Sequence, residues 1–204
     1  MSVITRLHAR DLFQGLNPEQ EQPSNRIIEV RAGSVLEQLV KQFEEYLAKG
    51  TLWDAQQNII QIGRSQSGIR ASDIEQLSII LGRYDDQIMF EFDAGEFLTK
   101  CFNVCKDDNI SVYTMGWKSP AHAFSLNNRK NVIIYGDVGN SLGRSMTHGK
   151  ITVNGNAGTD LGGNMSGGEI YINGNFENLG LAYNRGGAIY HRGRQIVRNG
   201  GLII

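Results

Sequence analysis

The 204-residue sequence has little cysteine, little proline and no long apolar run. Its 2 cysteines give no disulfide framework. There is no stretch of 18 apolar residues, and residues 1–10 lack the apolar core of a signal peptide, so we expect a cytoplasmic protein without a membrane segment. The formal net charge of -1 argues against a dedicated nucleic-acid or membrane-surface protein.

Glycine, in contrast, is abundant and unevenly distributed. Of the 25 glycines, 17 lie in residues 132–204 and 8 in the longer stretch 1–131. The sequence therefore divides into two regions of different architecture, and the second region carries most of the information.

The first region predicts a small α/β or α+β unit over residues 26–131, preceded by a poorly ordered arm over residues 1–25. A helix capped by Ser34 and closed by Gly50 is indicated by its apolar spacing and its caps. Further helices are predicted at 72–81, ending at Gly82, and at 94–104. Strands are predicted at 27–30, 58–62, 87–92 and 110–114.

The second region is a repeat with a step of 19 residues. Short apolar lines begin at Val132, Ile151, Ile170 and Ile189. The same step relates two series of glycines: Gly136, Gly155, Gly174 and Gly193, and then Gly149, Gly168 and Gly187. So many coincidences at one step indicate a structural repeat.

A unit of this length with period-2 alternation and no helical segment predicts a β-solenoid in which each strand stacks on its copy in the next coil. The stack would align four apolar residues as an internal column, namely Val132, Ile151, Ile170 and Ile189. It would also allow ladders of hydrogen-bonded side-chain amides at Asn154/Asn173 and Asn156/Asn175. Such a short stack needs caps, and residues 1–131 are the obvious cap at one end. Type I′ hairpin turns at the Asn-Gly-Asn triplets 154–156 and 173–175 are an alternative.

No motif in the sequence predicts a catalytic residue, a cofactor or a metal. Residues 136–143 contain glycines that invite a dinucleotide interpretation, but no helix follows them, and the repeat explains the same glycines. Cys101 and Cys105 would supply only two metal ligands, so packing thiols are the better interpretation. The histidines are scattered: His8, His122, His148 and His191. The pairs Asp85-Asp86 and Asp107-Asp108 are interpreted as solvated turns.

Positive charge gathers at the C-terminal end. Residues 132–204 contain 6 basic and 4 acidic residues, net +2, whereas residues 1–131 contain 14 and 17, net -3. Four of the basic residues are candidates for docking a partner: Arg185, Arg192, Arg194 and Arg198. This last coil is either a solvated cap or a surface that docks an acidic partner.

The segment from Gly136 to Asn175 resembles the GXGXG β-helix module. The resemblance rests on Gly155-Asn-Ala-Gly158, Leu161-Gly162, Met165-Ser-Gly-Gly168 and Ile170-Tyr-Ile-Asn-Gly174, and it covers about residues 130–195. The module forms the C-terminal domain of the glutamate synthase large subunit and is related to the β-helix subunits of formylmethanofuran dehydrogenase and of the formyltransferase/hydrolase complex. In the third coil Glu177 and Leu181 replace two expected glycines, so an irregular coil is predicted.

The resemblance implies a right-handed single-stranded β-helix without catalytic residues that supports neighbouring enzyme domains. We therefore expect a non-catalytic structural subunit of a glutamate-synthase-like complex, of the amidotransferase or N-methylglutamate synthase type, with other enzyme subunits as partners. The β-helix subunit of a formylmethanofuran dehydrogenase or formyltransferase/hydrolase complex and a stand-alone β-solenoid that binds an anion or a partner are the alternatives. The sequence leaves open whether the chain forms homo-oligomers.

Overall fold

The structure, a computed structural model, describes residues 5–8, 27–49 and 52–203. In this part of the chain a region with four α-helices, one more than predicted, precedes the predicted parallel β-solenoid. The helices are α1 (Val35–Lys49), α2 (Leu52–Arg64), α3 (Ala71–Leu81) and α4 (Phe90–Val104), with a 3₁₀ turn at Gly82–Tyr84. The strands are β1 (Thr5–His8), β2 (Ile27–Val30), β3 (Asn109–Tyr113), β4 (Asn131–Tyr135), β5 (Lys150–Asn154), β6 (Glu169–Ile172), β7 (Ala188–His191), β8 (Arg194–Arg198) and β9 (Gly201–Leu202).

Helix α1 begins where the sequence predicts, because the Ser34 hydroxyl accepts the backbone N–H of Glu37 at 3.1 Å. Its buried side chains Leu36, Leu39 and Phe43 follow helical spacing. The predicted closing residue, Gly50, lies outside the described residues. Most of the predicted arm lies outside them as well, and within it β1 pairs with β2 in an antiparallel ribbon.

Two predicted strands are wrong. Residues 58–62 lie inside α2, whereas residues 87–89 form a turn and residues 90–92 begin α4. The buried positions of α2 are Ala55 and Ile59, four residues apart, which is a helical spacing. In the second case Phe90 is buried, but Ile88 is 90% and Phe92 is 41% exposed, so the alternation of apolar residues did not mark one face of a strand. The predicted helices at 72–81 and 94–104 are present within α3 and α4.

The helices pack around a cluster of aromatic rings. Phe43 makes edge contacts with Tyr84, Phe90 and Phe97, at ring-centroid distances of 5.6, 6.4 and 5.1 Å. The core continues into the solenoid, since Phe102 of α4 stacks on Phe124 of the first coil at 5.9 Å. The helical region therefore covers one end of the solenoid, as a cap must.

Strands β3 to β7 pair in parallel and form one side of the solenoid. Val132 pairs with Ile151, Ile151 with Ile170, and Ile170 with Ile189, each one repeat further along the chain. All four side chains are at most 1% exposed, so the predicted internal column is confirmed. The stack also includes β3, which pairs in register with β4 at a longer step than the repeat, from Asn109 to Asn131. The solenoid thus begins one coil before the sequence repeat.

The Asn-Gly-Asn triplets are corners of the coils, so the alternative interpretation as hairpin turns is wrong. Asn173 donates its side-chain Nδ2 to Asn154 Oδ1 at 2.7 Å. The backbone N–H of Asn175 donates to Asn156 Oδ1 at 2.9 Å, and that of Asn156 donates to Asp137 Oδ1 at 2.7 Å. Side chains one coil apart therefore satisfy backbone groups at the corner, where strand pairing is interrupted.

The last sequence repeat ends the stack instead of adding a complete coil. After β7 the chain reverses through Arg192 and Gly193, both with positive φ (50° and 80°), as a type I′ hairpin turn requires. Strands β8 and β9 then continue the sheet in antiparallel order. The coil before this end is irregular, as predicted: Ala157 bridges Phe176 at the regular step of the repeat, but Leu161 bridges Leu179 at a shorter one.

Close stacking of the coils predicts a large cost for any side chain at Gly155. A Cβ there would collide with the backbone carbonyl of Gly136 in the preceding coil, and a backbone cannot move aside as a flexible side chain can. We expect Gly155→Ala to lower the free energy of unfolding by about 3 kcal/mol in chemical denaturation. Gly201→Ala is the matched control: its nearest atom would be 3.6 Å away, so its unfolding should be close to that of the native chain. Equal losses would contradict the packing argument.

His122 predicts a pH dependence of stability, because it joins the helical region to the second coil. Its backbone N–H donates to the Glu91 carbonyl at 2.7 Å, and its Nδ1 accepts the N–H of Asn140 at 2.7 Å. Burial lowers the pKa of His122, partly offset by the Glu91 carboxylate. The folded state then binds fewer protons than the unfolded state, whose imidazole titrates near about 6.5.

This contribution of His122 to stability is complete above about pH 6.5 and is lost as the pH falls towards the lower folded pKa. Denaturation of the native chain at a series of pH values from about 7 to 5 should therefore show a decline of stability. His122→Asn retains an acceptor without a titrating ring, and we expect it to reduce the decline. His148→Asn, at an exposed histidine, should keep it. A slope that is unchanged in His122→Asn would exclude this role.

Candidate functional site

The repeated glycines serve the geometry of the coils. Gly149, Gly168 and Gly187 have φ values of 79°, 83° and 83°, and each immediately precedes a strand, so one left-handed corner recurs in successive coils. Gly136, Gly155 and Gly174 lie where the backbones of successive coils approach so closely that a Cβ would collide with the preceding coil. Gly193 differs, since it lies in the hairpin turn and nothing is within 4 Å of a Cβ placed on it.

The segment 136–143 continues around the coil and does not open a helix, which a dinucleotide turn requires. Its Gly139 lies against the His122 ring, where a Cβ would collide with Nδ1. Packing between coils thus accounts for this glycine without a ligand.

The two cysteines are packing groups between the helices and the solenoid. Cys101 is completely buried and Cys105 is 5% exposed, and burial raises the pKa of both thiols. Among residues 5–8, 27–49 and 52–203, no three His, Cys, Asp or Glu side chains come together as a metal site would require. His122 and His191 bind to backbone groups of the solenoid, His148 contacts Thr147, and the side chain of His8 lies outside the described residues.

One member of each aspartate pair is structural, which corrects the interpretation of both pairs as solvated turns. The Asp85 side chain is 6% exposed and accepts the backbone N–H of Lys118 at 2.9 Å. Asp107 accepts the N–H of Ala71, at the start of α3, and this bond lowers the pKa of its carboxyl, as does the nearby Arg70. Asp86 and Asp108 are 73% and 83% exposed, as turn residues are expected to be.

The four arginines form two pairs at opposite ends of β8. Arg192 lies in the hairpin turn, and Arg194 begins β8 directly after it. Arg198 is the last residue of β8. Two residues later, Gly200 lies against the backbone of Asn184, which precedes Arg185 in the sequence. The turn after β8 therefore meets the corner that carries Arg185. Strand β8 spans four residue steps, so about 13 Å separates the two ends of this strand.

All four arginines are exposed, and no described carboxylate lies within ion-pair distance of them. Arg192 donates to Asn175 Oδ1 at 2.8 Å, and Arg198 donates to Gln195 Oε1 at 3.2 Å. Both acceptors are neutral amides, so the four positive charges are not compensated within the described chain.

Apolar side chains lie beside these charges. Leu202 of β9 pairs with Val197, one residue before the end of β8, and is 59% exposed. Ile203 is 38% exposed, and Tyr183 is 76% exposed in the irregular coil. Strand β9 is the last strand of the seven-stranded sheet, and no described strand pairs with its outer edge. We call these seven residues the end surface: Tyr183, Arg185, Arg192, Arg194, Arg198, Leu202 and Ile203.

Two tyrosines lie on the solenoid side next to the end surface. Tyr171 and Tyr190 stack at 4.3 Å with an interplanar angle of 3°, and Lys150 Nζ lies 4.1 Å from the centroid of the Tyr171 ring. Burial and the hydrogen bond to Glu169 raise the pKa of Tyr171 to about 12, so this ladder carries a neutral phenol at physiological pH.

These features define a class of protein: a parallel β-solenoid that is covered by helices at one end and presents a basic, partly apolar surface at the other. Comparison with protein-family models, curated proteins and solved structures gives no match for this chain. None of the described helices is long and apolar enough to cross a membrane.

Sequence reasoning found the four arginines but not how they pair. It missed Tyr183. The missing glycines of the irregular coil could have pointed to that residue. The distance in sequence between paired residues is shorter than the repeat at Leu179 and equal to the repeat again at Ala188. The segment between Leu179 and Ala188 therefore contains one residue more than the same segment of the preceding coil, and it bulges outward.

Because the arginines form no ion pairs within the described chain, removing them should not unfold it. We expect the triple variant Arg185→Gln, Arg194→Gln and Arg198→Gln to stay within about 0.5 kcal/mol of the native free energy of unfolding, measured by denaturant titration. A loss several times larger would show that these arginines stabilise the fold, and would weaken the case for a free binding surface.

Proposed function

We propose that the protein is a non-catalytic assembly subunit of a multi-subunit enzyme and that its end surface binds an acidic partner subunit. The observation that carries the proposal is the set of four uncompensated arginines around an exposed strand edge, at the end of the solenoid that the helices leave uncovered.

The composition of the end surface suits protein recognition. Arginine and tyrosine are enriched at the centres of protein interfaces, where they combine apolar contact with directed hydrogen bonds. Guanidinium groups bind carboxylates in pairs of parallel hydrogen bonds. An acidic partner would compensate the four charges and also cover Tyr183, Leu202 and Ile203, which are otherwise exposed to water.

The enzyme complex we propose is glutamate-synthase-like and cytoplasmic. Support comes from the resemblance of residues 136–175 to the GXGXG β-helix module. The motifs of this resemblance recur every 19 residues, and strands of successive coils pair at the same 19-residue step. In this proposal the catalytic groups, including any flavin or amidotransferase site, belong to partner subunits, and this chain supplies a rigid docking scaffold.

A second candidate function, binding of a small anion, is favoured by the same arginines. The pairs at the two ends of β8 could each hold one anionic group. A small anion would leave the apolar side chains of the end surface in water, so we prefer the protein partner.

The test is affinity purification of the tagged chain from its own cells at low salt, followed by mass spectrometry and a scan for flavin absorbance. We expect a stoichiometric partner with an acidic surface. The triple variant Arg185→Gln, Arg194→Gln and Arg198→Gln should lose this partner. The control variant Arg83→Gln, Arg129→Gln and Arg144→Gln makes the same change of net charge at arginines elsewhere and should keep it.

Each outcome decides between the hypotheses. A flavoprotein or amidotransferase partner supports the glutamate-synthase-like complex, whereas a formyltransferase or amidohydrolase partner selects the formyl-transfer alternative. Equal loss in both triple variants would show that net charge and not the end surface governs assembly. A chain that purifies alone and is stabilised against heat by small anions would favour the binding-protein hypothesis.

A further inference from the structure

The first coil departs from the others at one corner. Gly139 donates its N–H to Ala121 O, and one coil later Gly158 donates its N–H to Gly139 O, so Ala121 and Gly139 hold equivalent places. The next residues agree, since Asn140 donates its N–H to His122 Nδ1 and Thr159 donates its N–H to Asn140 Oδ1. Eight residue steps lead from Tyr113, at the end of β3, to Ala121, whereas four lead from Tyr135, at the end of β4, to Gly139. The first coil therefore carries four extra residues at the corner where the asparagine ladder begins.

These extra residues form a loop, 114–120, that overhangs the corner of the next two coils and leaves a cleft of about 430 Å³. The volume is within the usual range for small-molecule sites, about 300–1,000 Å³. One wall is apolar and consists of Met115, Trp117 and Pro120. The opposite wall is polar and consists of Asp137, Asn154 and Asn156.

The loop is fixed from behind by the helical region. The Trp117 ring packs edge-on against Phe90 at 5.1 Å. The backbone N–H of Lys118 donates to Asp85, and the Lys118 ammonium pairs with Asp85 and Asp86. Thr114 donates its hydroxyl to Asp137 O at 2.8 Å, which ties the loop to the opposite wall. A cleft held in this way loses little conformational entropy when a ligand binds.

The ladder fixes the orientation of the polar wall. The Oδ1 atoms of Asn154 and Asn156 accept hydrogen bonds from the following coil, so each amide presents its NH₂ group as the remaining donor. Neither Nδ2 atom has a hydrogen-bond partner among the described residues. Asp137 Oδ1 accepts the N–H of Asn156, which leaves Oδ2 as an acceptor. The cleft thus offers two fixed donors and one fixed acceptor on the same wall.

We propose that this cleft binds a neutral polyhydroxylated ligand, such as a mono- or disaccharide. A hydroxyl group both donates and accepts, so adjacent hydroxyls can take hydrogen bonds from the two amides and give one to Asp137. The apolar wall at Trp117 suits the C–H face of a sugar ring. This site is separate from the end surface and does not depend on the proposed assembly role.

Charge excludes the other small ligands. The cleft has one cation, Lys118, whose ammonium is already paired with two carboxylates, so no positive charge is left to hold an anion. Among the described residues that line the cleft, Asp137 is the only carboxylate, and it belongs to no group of described residues that could hold a metal ion. A neutral ligand rich in hydroxyls matches this balance of charges.

The test uses tryptophan fluorescence, because the chain has 2 tryptophans and the other one, Trp53, is 70% exposed on α2. Trp53→Phe leaves Trp117 as the only tryptophan. Its emission is followed during titration with D-glucose, D-galactose, D-mannose and maltose, and with phosphate and glutamate as charged controls. We expect at least one sugar to shift the emission and reduce acrylamide quenching in a saturable manner, and neither charged control to do so. In Trp117→Phe the emission of Trp53 should not respond.

Two further variants locate the site on the Trp53→Phe background. Asn156→Asp keeps the oxygen that accepts the N–H of Asn175 and replaces the free donor by an acceptor, as Asp137 does in the preceding coil. We expect about tenfold weaker sugar binding. Asn154→Asp makes the same exchange, and we expect the same effect. It serves as the substitute variant if Asn156→Asp does not fold. Asn175→Asp makes it one coil further on, outside the cleft, and should bind like the parent.

No saturable response to any of the four sugars would overturn the proposal. So would a response to phosphate or glutamate alone, or sugar binding that is unchanged in both Asn156→Asp and Asn154→Asp.

Discussion

The fold depends on one constraint: each coil must place its backbone at the same points as the coil before it. At Gly155 and Gly174 successive backbones approach so closely that no Cβ fits, and this contact recurs at the step of the sequence repeat. The buried column from Val132 to Ile189 and the side-chain ladder from Asp137 to Asn175 both require that register. A shift by one residue would turn each strand's buried side chains outward, so the apolar core and the backbone contacts enforce the same arrangement.

The departures from this register coincide with the candidate functional surfaces. Four extra residues in the first coil create the cleft beside Trp117. A shortened and then restored step in the last complete coil leaves Tyr183 exposed. The hairpin at Arg192 and Gly193 ends the parallel stack and carries three of the four arginines, Arg192, Arg194 and Arg198. The regular coils thus provide a rigid frame, and its irregular positions are where a surface can acquire a specific shape and charge.

Much of the solenoid could be predicted from sequence, because its information lies in spacing. Equal steps between glycines and apolar residues identify the coils, the internal column and the asparagine ladders without any knowledge of tertiary contacts. The helical region was harder. Residues 58–62 were predicted as a strand, because a segment of five residues is too short to distinguish the apolar spacing of a strand from that of a helix. The helical spacing of Ala55 and Ile59 becomes visible only when residues before 58 are included. The cleft could not be predicted, because it depends on how the 114–120 loop folds against the helices.

The hairpin after β7 also bears on how readily two copies of the chain could associate through this end. A stack of parallel coils with a bare end is a template on which another copy could continue the sheet, and repetition of that step would produce fibres. Here β8 and β9 run antiparallel, so the exposed edge no longer has the hydrogen-bonding pattern of the coils. Two such ends brought together would also set arginine against arginine. The same features that suit this end to an acidic partner therefore disfavour continuation of the sheet by a second copy of the chain.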